Sequence, residues 1–268
     1  MLEMNVVGKL NDESVCEDRV FVGEQLVAVI DGATDKTGWR VSTPHGDVTS
    51  GRFAADVLAA ALRDVVPGTD PLQVVSMLSA TVDAAIQQAF GAVAAHERPS
   101  ASIVVFDSVL RAVWRVGDCP FRVGDSMHNQ PKRIDEVTAN FRAAFLAASG
   151  CDALTTAGGD LGRDAIVPLL KLQGSLANRL GEFGYGVIDG QDVPSDFVEV
   201  VSVPAGVREI VLASDGYPTL PPSLLEAEAE LAALLAQDPH CVGALRGTKG
   251  LQEGAVSFDD RAWVRLVL

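Results

Sequence analysis

Short apolar runs recur along the chain, and each is bounded by glycine, proline or aspartate. Runs rich in Val, Ile and Phe between turn-forming residues are typical of β-strands. The predicted strands are Met4–Val7, Val20–Val22, Leu26–Ile30, Ser102–Phe106, Ala112–Val116, Phe121–Val123, Phe197–Val203, Glu209–Ala213 and Ala262–Leu268.

Two segments in the first third of the chain place apolar residues at helical spacing. Residues 54–65 carry an apolar face, and Thr49 or Ser50 would cap that helix. Residues 75–93 show the same periodicity, and the preceding Asp70-Pro71 is a typical helix start. These segments predict two amphipathic helices in succession.

Helical patterns return later in the chain. Ser223–Ala236 is strongly helical, and Ser223 and Glu226 have the spacing of a capping box. Weaker helical patterns cover about residues 139–148 and 166–180. These two lie inside a segment, about 125–194, that is poorly patterned overall and that we interpret as an irregular insert.

The order of the predicted elements indicates the fold class. Strands follow one another without intervening helices, and the link between Ser102–Phe106 and Ala112–Val116 is too short for anything but an antiparallel hairpin. We therefore expect an α+β fold with helices on the outer faces of antiparallel sheets. Because no repeat or long linker divides the chain, we expect one domain over residues 1–268.

Composition narrows the function. With 48% hydrophobic residues the chain can form a large core, and with 36 acidic against 21 basic residues its formal net charge is −15. That charge repels nucleic acid and anionic lipid, so we expect neither as a partner. The oligomeric state stays open. Four scattered cysteines and no signal peptide or membrane span favour a reduced, cytoplasmic setting.

Acidic residues stand at the ends of several predicted strands. A single Asp-Gly is typical of a hairpin turn, but carboxylates collected at one end of a sheet need protonation or a cation between them. An all-oxygen set favours Mg²⁺ or Mn²⁺. The residues are Asp31 in VAVIDG, Asp118 in VWRVGDC, Asp215 in IVLASDG, Asp259 and Asp260 in SFDDRAWVRLVL, and the pair Glu17-Asp18.

The ordered series ED, VAVIDG, VWRVGD, LASDG and DDRAWVRLVL resembles the motifs of the metal-dependent protein phosphatases of type 2C, the PPM family. The resemblance covers about two-thirds of the chain; the insert matches poorly. It implies a four-layer α-β-β-α fold, an antiparallel β-sandwich flanked by helix pairs, with a two-metal centre at one end.

By position in these motifs, the resemblance implies the metal ligands. Asp31 would bridge two Mg²⁺ or Mn²⁺ ions, and the Gly32 carbonyl would bind one of them. Asp215 and Asp260 would hold the other ion. Asp118 corresponds to a residue that helps to bind a third, weaker ion in some members. Adjacent strand residues point oppositely, so Asp259 stays the alternative to Asp260.

The resemblance also implies the reaction. Glu17 and Asp18 would orient metal-bound waters, and a bridging water activated by two ions would attack a phosphomonoester. The substrate would be phosphoserine or phosphothreonine in a phosphorylated protein, which makes the chain a Mg/Mn-dependent serine/threonine protein phosphatase.

Departures from the family pattern leave alternatives open. Ala33 stands where the family has a histidine, and Glu13 stands where many members have a phosphate-binding arginine. Arg40 or Lys36, in the loop after Asp31, would supply the phosphate contact instead. The losses favour a catalytically silent binding or regulatory module, and the altered loop would also suit a small-molecule phosphatase. The retained aspartates favour the enzyme.

Overall fold

The computed structural model describes residues 2–34, 38–43, 46–150 and 160–268. Strands dominate both ends of the chain. They are β1 (Leu2–Val7), β2 (Arg19–Val22), β3 (Leu26–Gly32), β4 (Arg40–Thr43), β5 (Gly46–Thr49), β6 (Ala101–Asp107), β7 (Ala112–Val116), β8 (Phe121–Val123), β9 (Ser126–His128), β10 (Val198–Ser202), β11 (Glu209–Ala213) and β12 (Arg261–Val267).

Helices occupy the intervals between the strand groups. They are α1 (Ser50–Ala61), α2 (Pro71–Phe90), α3 (Arg133–Ser149), α4 (Leu161–Leu172) and α5 (Leu224–Gln237). The predicted caps are confirmed for three of them. Thr49, Asp70 and Ser223 each accept a hydrogen bond from a backbone N–H of the first turn. No helix in these described ranges is long and apolar enough to cross a bilayer.

Two five-stranded antiparallel sheets form the centre of the molecule. The first sheet has the order β1-β12-β11-β8-β9 and the second has the order β10-β7-β6-β3-β2. The pair β4–β5 is a separate hairpin. Since the strands within these sheets pair antiparallel, a strand's end lies beside its neighbour's start, as for Asp31 and Ser102 on β3 and β6. Loops far apart in sequence therefore meet at one edge.

Side chains on the two faces of each sheet build separate cores. Val29 of β3 packs between the sheets with Phe121 and Leu212, whereas Ile30 points outward under α1 and α2. On the other side, Trp263 of β12 packs under α5. Burial on both faces explains why these strands are apolar almost throughout. The predicted α+β antiparallel sandwich with helices on its outer faces is confirmed.

The segment about 125–194 holds more regular structure than predicted. It contains β9 and the mutually packed helices α3 and α4. Helix α4 begins at residue 161, earlier than the predicted 166–180, because Asp160 caps it by accepting the Arg163 N–H. The polar hairpin β4–β5 was also not predicted, since its short exposed strands carry little apolar signal.

Candidate active site

An open cavity of about 480 Å³ lies at one edge of the sandwich. Asp31 is the penultimate residue of β3 and Asp118 follows β7, so both come from the second sheet. Asp215 follows β11 and Asp259 precedes β12, so both come from the first sheet. All four line the cavity. The two sheets thus each contribute carboxylates to one space.

Gly117 allows Asp118 and Ser102 to approach each other on the second-sheet side of the cavity. Ser102 donates a hydrogen bond from Oγ to Oδ1 of Asp118 at 2.6 Å. Gly117 has φ +96°, and a Cβ there would lie 2.3 Å from the Ser102 Oγ. Only glycine allows both this backbone conformation and this approach. The Gly-Asp sequence therefore brings the Asp118 carboxylate beside Ser102.

A buried serine holds the acidic residues of the two sheets in place. Ser214 donates from Oγ to Oδ2 of Asp18 at 2.5 Å and accepts the Ala262 N–H at 2.8 Å. Asp18 precedes β2 of the second sheet, while Ser214 follows β11 of the first. The hydrogen bond therefore crosses from one sheet to the other beside Asp215.

Glu17 is fixed by two hydroxyl groups. Thr34 Oγ1 donates to Glu17 Oε2 at 2.5 Å, and Thr49 Oγ1 donates to Glu17 Oε1 at 2.6 Å. The backbone is tight here, because a Cβ on Gly32 would lie 2.4 Å from the Gly51 carbonyl oxygen. Glu17 is buried and its orientation is set by these contacts.

Burial and, after it, mutual repulsion shape the electrostatics of three aspartates. Burial, followed by the charges of neighbouring carboxylates, raises the pKa of Asp31 and Asp215 well above the ordinary value. The pKa of Asp18 is raised for the same reasons, against the opposing hydrogen bond from Ser214. The Asp215 side chain is open to solvent in the cavity, so water there screens part of this repulsion. These three carboxylates are crowded and undercompensated.

Lysines neutralise the remaining carboxylates. Lys132 Nζ donates to both carboxylate oxygens of Asp118 at 2.8 Å. Although burial opposes it, this pairing holds the pKa of Asp118 below its usual value. Lys249 Nζ lies 2.8 Å from Asp259 and Lys9 Nζ lies 3.6 Å from it. Against the opposing effect of burial, these two cations lower the pKa of Asp259 to about 2.

Asp259 and Asp260 have different surroundings. The Asp260 carboxylate accepts the backbone N–H groups of Lys9 at 2.7 Å and Glu17 at 3.0 Å, and the Lys9 ammonium at 3.2 Å. The charge of Asp259 instead acts on Asp31 and Asp215. We expected Asp260 to be the ligand; it also lines the cavity and its charge acts on Asp18, while its hydrogen bonds tie the N-terminal loop to β12. The geometry favours Asp259 as the carboxylate that faces the cluster.

Arg40, one of the two expected phosphate contacts, does not line the cavity. It is exposed on β4, where its Nη2 donates to the Asp47 carbonyl at 3.2 Å. Lys36 lies outside the described residues. The cavity is instead bordered by Arg163 and Arg246, which come from α4 and the loop after α5.

Solved structures resemble this chain over nearly their whole length. The catalytic domain of the serine/threonine protein phosphatase PstP in complex with 2 manganese ions aligns with TM-score 0.51 and 18% identity, over 100% of this chain and 98% of that one. The chain has the type 2C phosphatase fold. Stp1, a serine/threonine phosphatase from Staphylococcus aureus, aligns with TM-score 0.52 and 11% identity, over 100% and 94%.

At these identities the likeness shows the fold alone. No family model and no curated protein matches the sequence. The resemblance inferred from the aspartate motifs is therefore confirmed at the level of the type 2C phosphatase fold, and the chemistry rests on the cavity's own residues.

The donor set of the cavity suits a hard cation, but it is not preassembled. In the described part of the chain, no three His, Cys, Asp or Glu side chains converge closely enough to hold a metal ion as they stand. The crowded oxygens of Asp31 and Asp215 nevertheless match the chemistry of Mg²⁺ or Mn²⁺, and a cation would relieve their repulsion. The residue types therefore fit such a metal, although their side chains are not arranged as a closed ligand set.

Sequence analysis did not predict the three lysines that pair with aspartates at the cavity. Lys9, Lys132 and Lys249 lie in loops or at a helix start, where apolar periodicity gives no signal. Each adjoins a turn-forming residue, in Gly8-Lys9, Pro131-Lys132 and Lys249-Gly250. The same is true of Arg52, Arg98, Arg163 and Arg246, so this neighbourhood alone does not distinguish the three lysines.

Proposed function

We propose that the chain is a Mg²⁺- or Mn²⁺-dependent phosphomonoester hydrolase that acts on phosphoserine or phosphothreonine in proteins. The observation that carries this proposal is the crowding of Asp18, Asp31 and Asp215 in one open cavity, with raised pKa values and without a lysine in ion-pairing contact among the described residues. Such crowding stores repulsion that a divalent cation would relieve.

Asp31, Asp215 and the Gly32 carbonyl would hold the metal, and Asp259 would join them if its lysines moved aside. When bound, the metal supplies Lewis-acid catalysis and lowers the pKa of a water. Glu17 and Asp18, fixed by hydroxyl groups, would accept hydrogen bonds from waters in the cavity. This assignment replaces Asp260 with Asp259 in the ligand set and keeps the other expected residues except Asp118.

Cations at the cavity border would bind the phosphate group. The protein carries a net charge of −15, so a phosphate dianion needs local positive charge to approach. Arg163 is half-buried, and its Nη1 donates to the Thr248 carbonyl at 3.0 Å. Arg246 lies on the same border, where its Nη1 donates to Asn140 at 2.8 Å. Arg163 and Arg246, which these hydrogen bonds hold in place, replace Arg40 and Lys36 as the proposed phosphate contacts.

The proposal is tested with Mn²⁺-dependent hydrolysis of an aryl phosphate and of a phosphothreonine peptide. We expect Asp31→Asn and Asp215→Asn each to lower kcat/KM at least about a hundredfold. Even the loss of a residue that only hydrogen-bonds to a metal ligand lowers metal affinity or activity by about 10–100-fold. Asp64→Asn is the matched control and should retain activity. It removes an exposed carboxylate that does not line the cavity. Equal activity in all three variants would refute the assignment.

A silent binding module is the second candidate. The pairing of Lys132 with Asp118, and of Lys9 and Lys249 with Asp259, favours it, because lysines already neutralise part of the acidic cluster. That module would bind Mn²⁺ or a phosphopeptide in calorimetry and release no phosphate from either substrate. Turnover that depends on Asp31 excludes it.

A further inference from the structure

Lys132 forms an ion pair with Asp118 at the cavity. Its Nζ lies 2.8 Å from both Oδ1 and Oδ2 of Asp118, so both oxygens of that carboxylate are engaged by one cation. Ser102 Oγ adds a third hydrogen bond to Oδ1. The Asp118 carboxylate is therefore saturated with donors, in contrast to Asp31 and Asp215.

The surrounding residues hold the Lys132 side chain in place. It is 13% exposed, and its ammonium lies 5.4 Å from the centroid of the Tyr185 ring. Tyr185 is fixed in turn, because its hydroxyl donates to the Gln173 carbonyl at 3.2 Å. Asp135, in the first turn of α3, adds a second negative charge near the ammonium. Lys132 is thus enclosed on several sides.

The charge of Lys132 also reaches the other aspartates. It opposes the repulsion that raises the pKa of Asp31 and of Asp215. A divalent ion at Asp118 would have to displace this ammonium or lie beside it, and two cations in that space repel each other.

We propose that Lys132 is a built-in cation that keeps Asp118 from binding a divalent ion. The centre then takes metal only on the side of Asp31 and Asp215, and no third ion binds at Asp118. Lys132 is a positioning residue, since it fixes a carboxylate and contributes charge to the centre without belonging to the ligand set. The inference rests on the proposed function as far as it assumes metal at Asp31 and Asp215.

Manganese titration by calorimetry and by electron paramagnetic resonance of free Mn²⁺ tests this without any activity measurement. Lys132→Met removes the ammonium and keeps an unbranched side chain that is one atom shorter. We expect this variant to bind one more Mn²⁺ per chain than the wild type, and the double variant Lys132→Met with Asp118→Asn to lose that ion again. Lys171→Met removes an exposed cation from the same cavity border and should bind the wild-type number of ions.

Asp118→Asn alone keeps the test decisive should Lys132→Met fail to fold. We expect it to leave the number of bound ions unchanged. Loss of an ion in Asp118→Asn, or no gain in a folded Lys132→Met, overturns the inference. The proposed function fails separately: if the wild type binds no Mn²⁺ but Lys132→Met gains an ion at Asp118, the inference stands and the metal-dependent hydrolase does not. If neither protein binds Mn²⁺, both are refuted.

Discussion

Single residues set how closely the groups of the cavity approach one another. The contact of Asp118 with Ser102 exists because position 117 lacks a side chain and has a positive φ. At Gly216 the lack of a side chain alone is needed, because an added Cβ would lie 2.1 Å from the Asp260 carbonyl oxygen. In both cases a glycine precedes or follows an aspartate of the cavity. The Asp-Gly and Gly-Asp pairs therefore have a packing role as well as a turn role.

Gly117→Ala is expected to destabilise the protein by about 2–4 kcal/mol, from the left-handed backbone conformation and the clash with Ser102. It should also displace Asp118 and with it Lys132. The measurement is urea unfolding of the variant. Gly206→Ala is the control, because an added Cβ there meets nothing within 4 Å; an equal loss in both variants would contradict the explanation.

Helix α3 fixes a loop at the cavity through one buried arginine. The guanidinium of Arg142 is fully buried and donates to the carbonyl oxygens of His240, Cys241 and Gly247. It also donates from Nε to Asp160 at 2.9 Å. Lys249 lies just beyond this loop and pairs with Asp259. The helix thereby determines where a cation of the cavity sits.

Arg142→Met is expected to cost about 3–5 kcal/mol, because it leaves Asp160 and three carbonyl groups without their buried partner. Thermal and urea unfolding measure the loss. Arg133→Met, on the exposed side of the same helix, removes an ion pair with Glu136 at 2.9 Å and should cost less than about 1 kcal/mol. A similar cost for the two variants would show that the loop contacts contribute little.

The sequence predicted elements well where apolar pattern decides them. The ranges of β7, β8 and β11 agree residue for residue with the prediction, since their positions depend on local apolar runs. The meeting of Asp31, Asp118 and Asp215 was also predictable, because each stands at, or just after, the end of a strand. The lysine pairs were not. Lys9 and Asp260 are 251 positions apart, and such contacts depend on loop paths that no periodicity encodes.

At the scale of the whole molecule, the net negative charge and the carboxylate cluster both favour greater stability of the folded chain at lower pH. Asp18, Asp31 and Asp215 have raised pKa values in the folded chain, so the folded state binds protons more readily than the unfolded state. Their contribution to stability is full below the ordinary carboxyl pKa and is lost as the pH rises through the raised values. Asp118 and Asp259 behave oppositely, and their contribution is lost as the pH falls.

The metal-free protein should therefore be most stable at mildly acidic pH. We expect its Tm to rise as the pH falls from about 8 to about 5, and to drop below about pH 4, near the ordinary carboxyl pKa. Differential scanning calorimetry in the presence of a chelator measures this profile. Asp31→Asn should flatten the alkaline limb, whereas Asp64→Asn should not. A Tm that increases steadily from pH 5 to about pH 8 would contradict the assignment.

The placement of Asp31 on one sheet and Asp215 on the other makes the sandwich core a spacer between them. Side chains such as Val104 and Phe121, far from any solvent, therefore set the width of the gap that substrate would enter. A core substitution would therefore change the separation of these carboxylates without contacting them, so the packing of the core and the chemistry proposed for the site would have to evolve together.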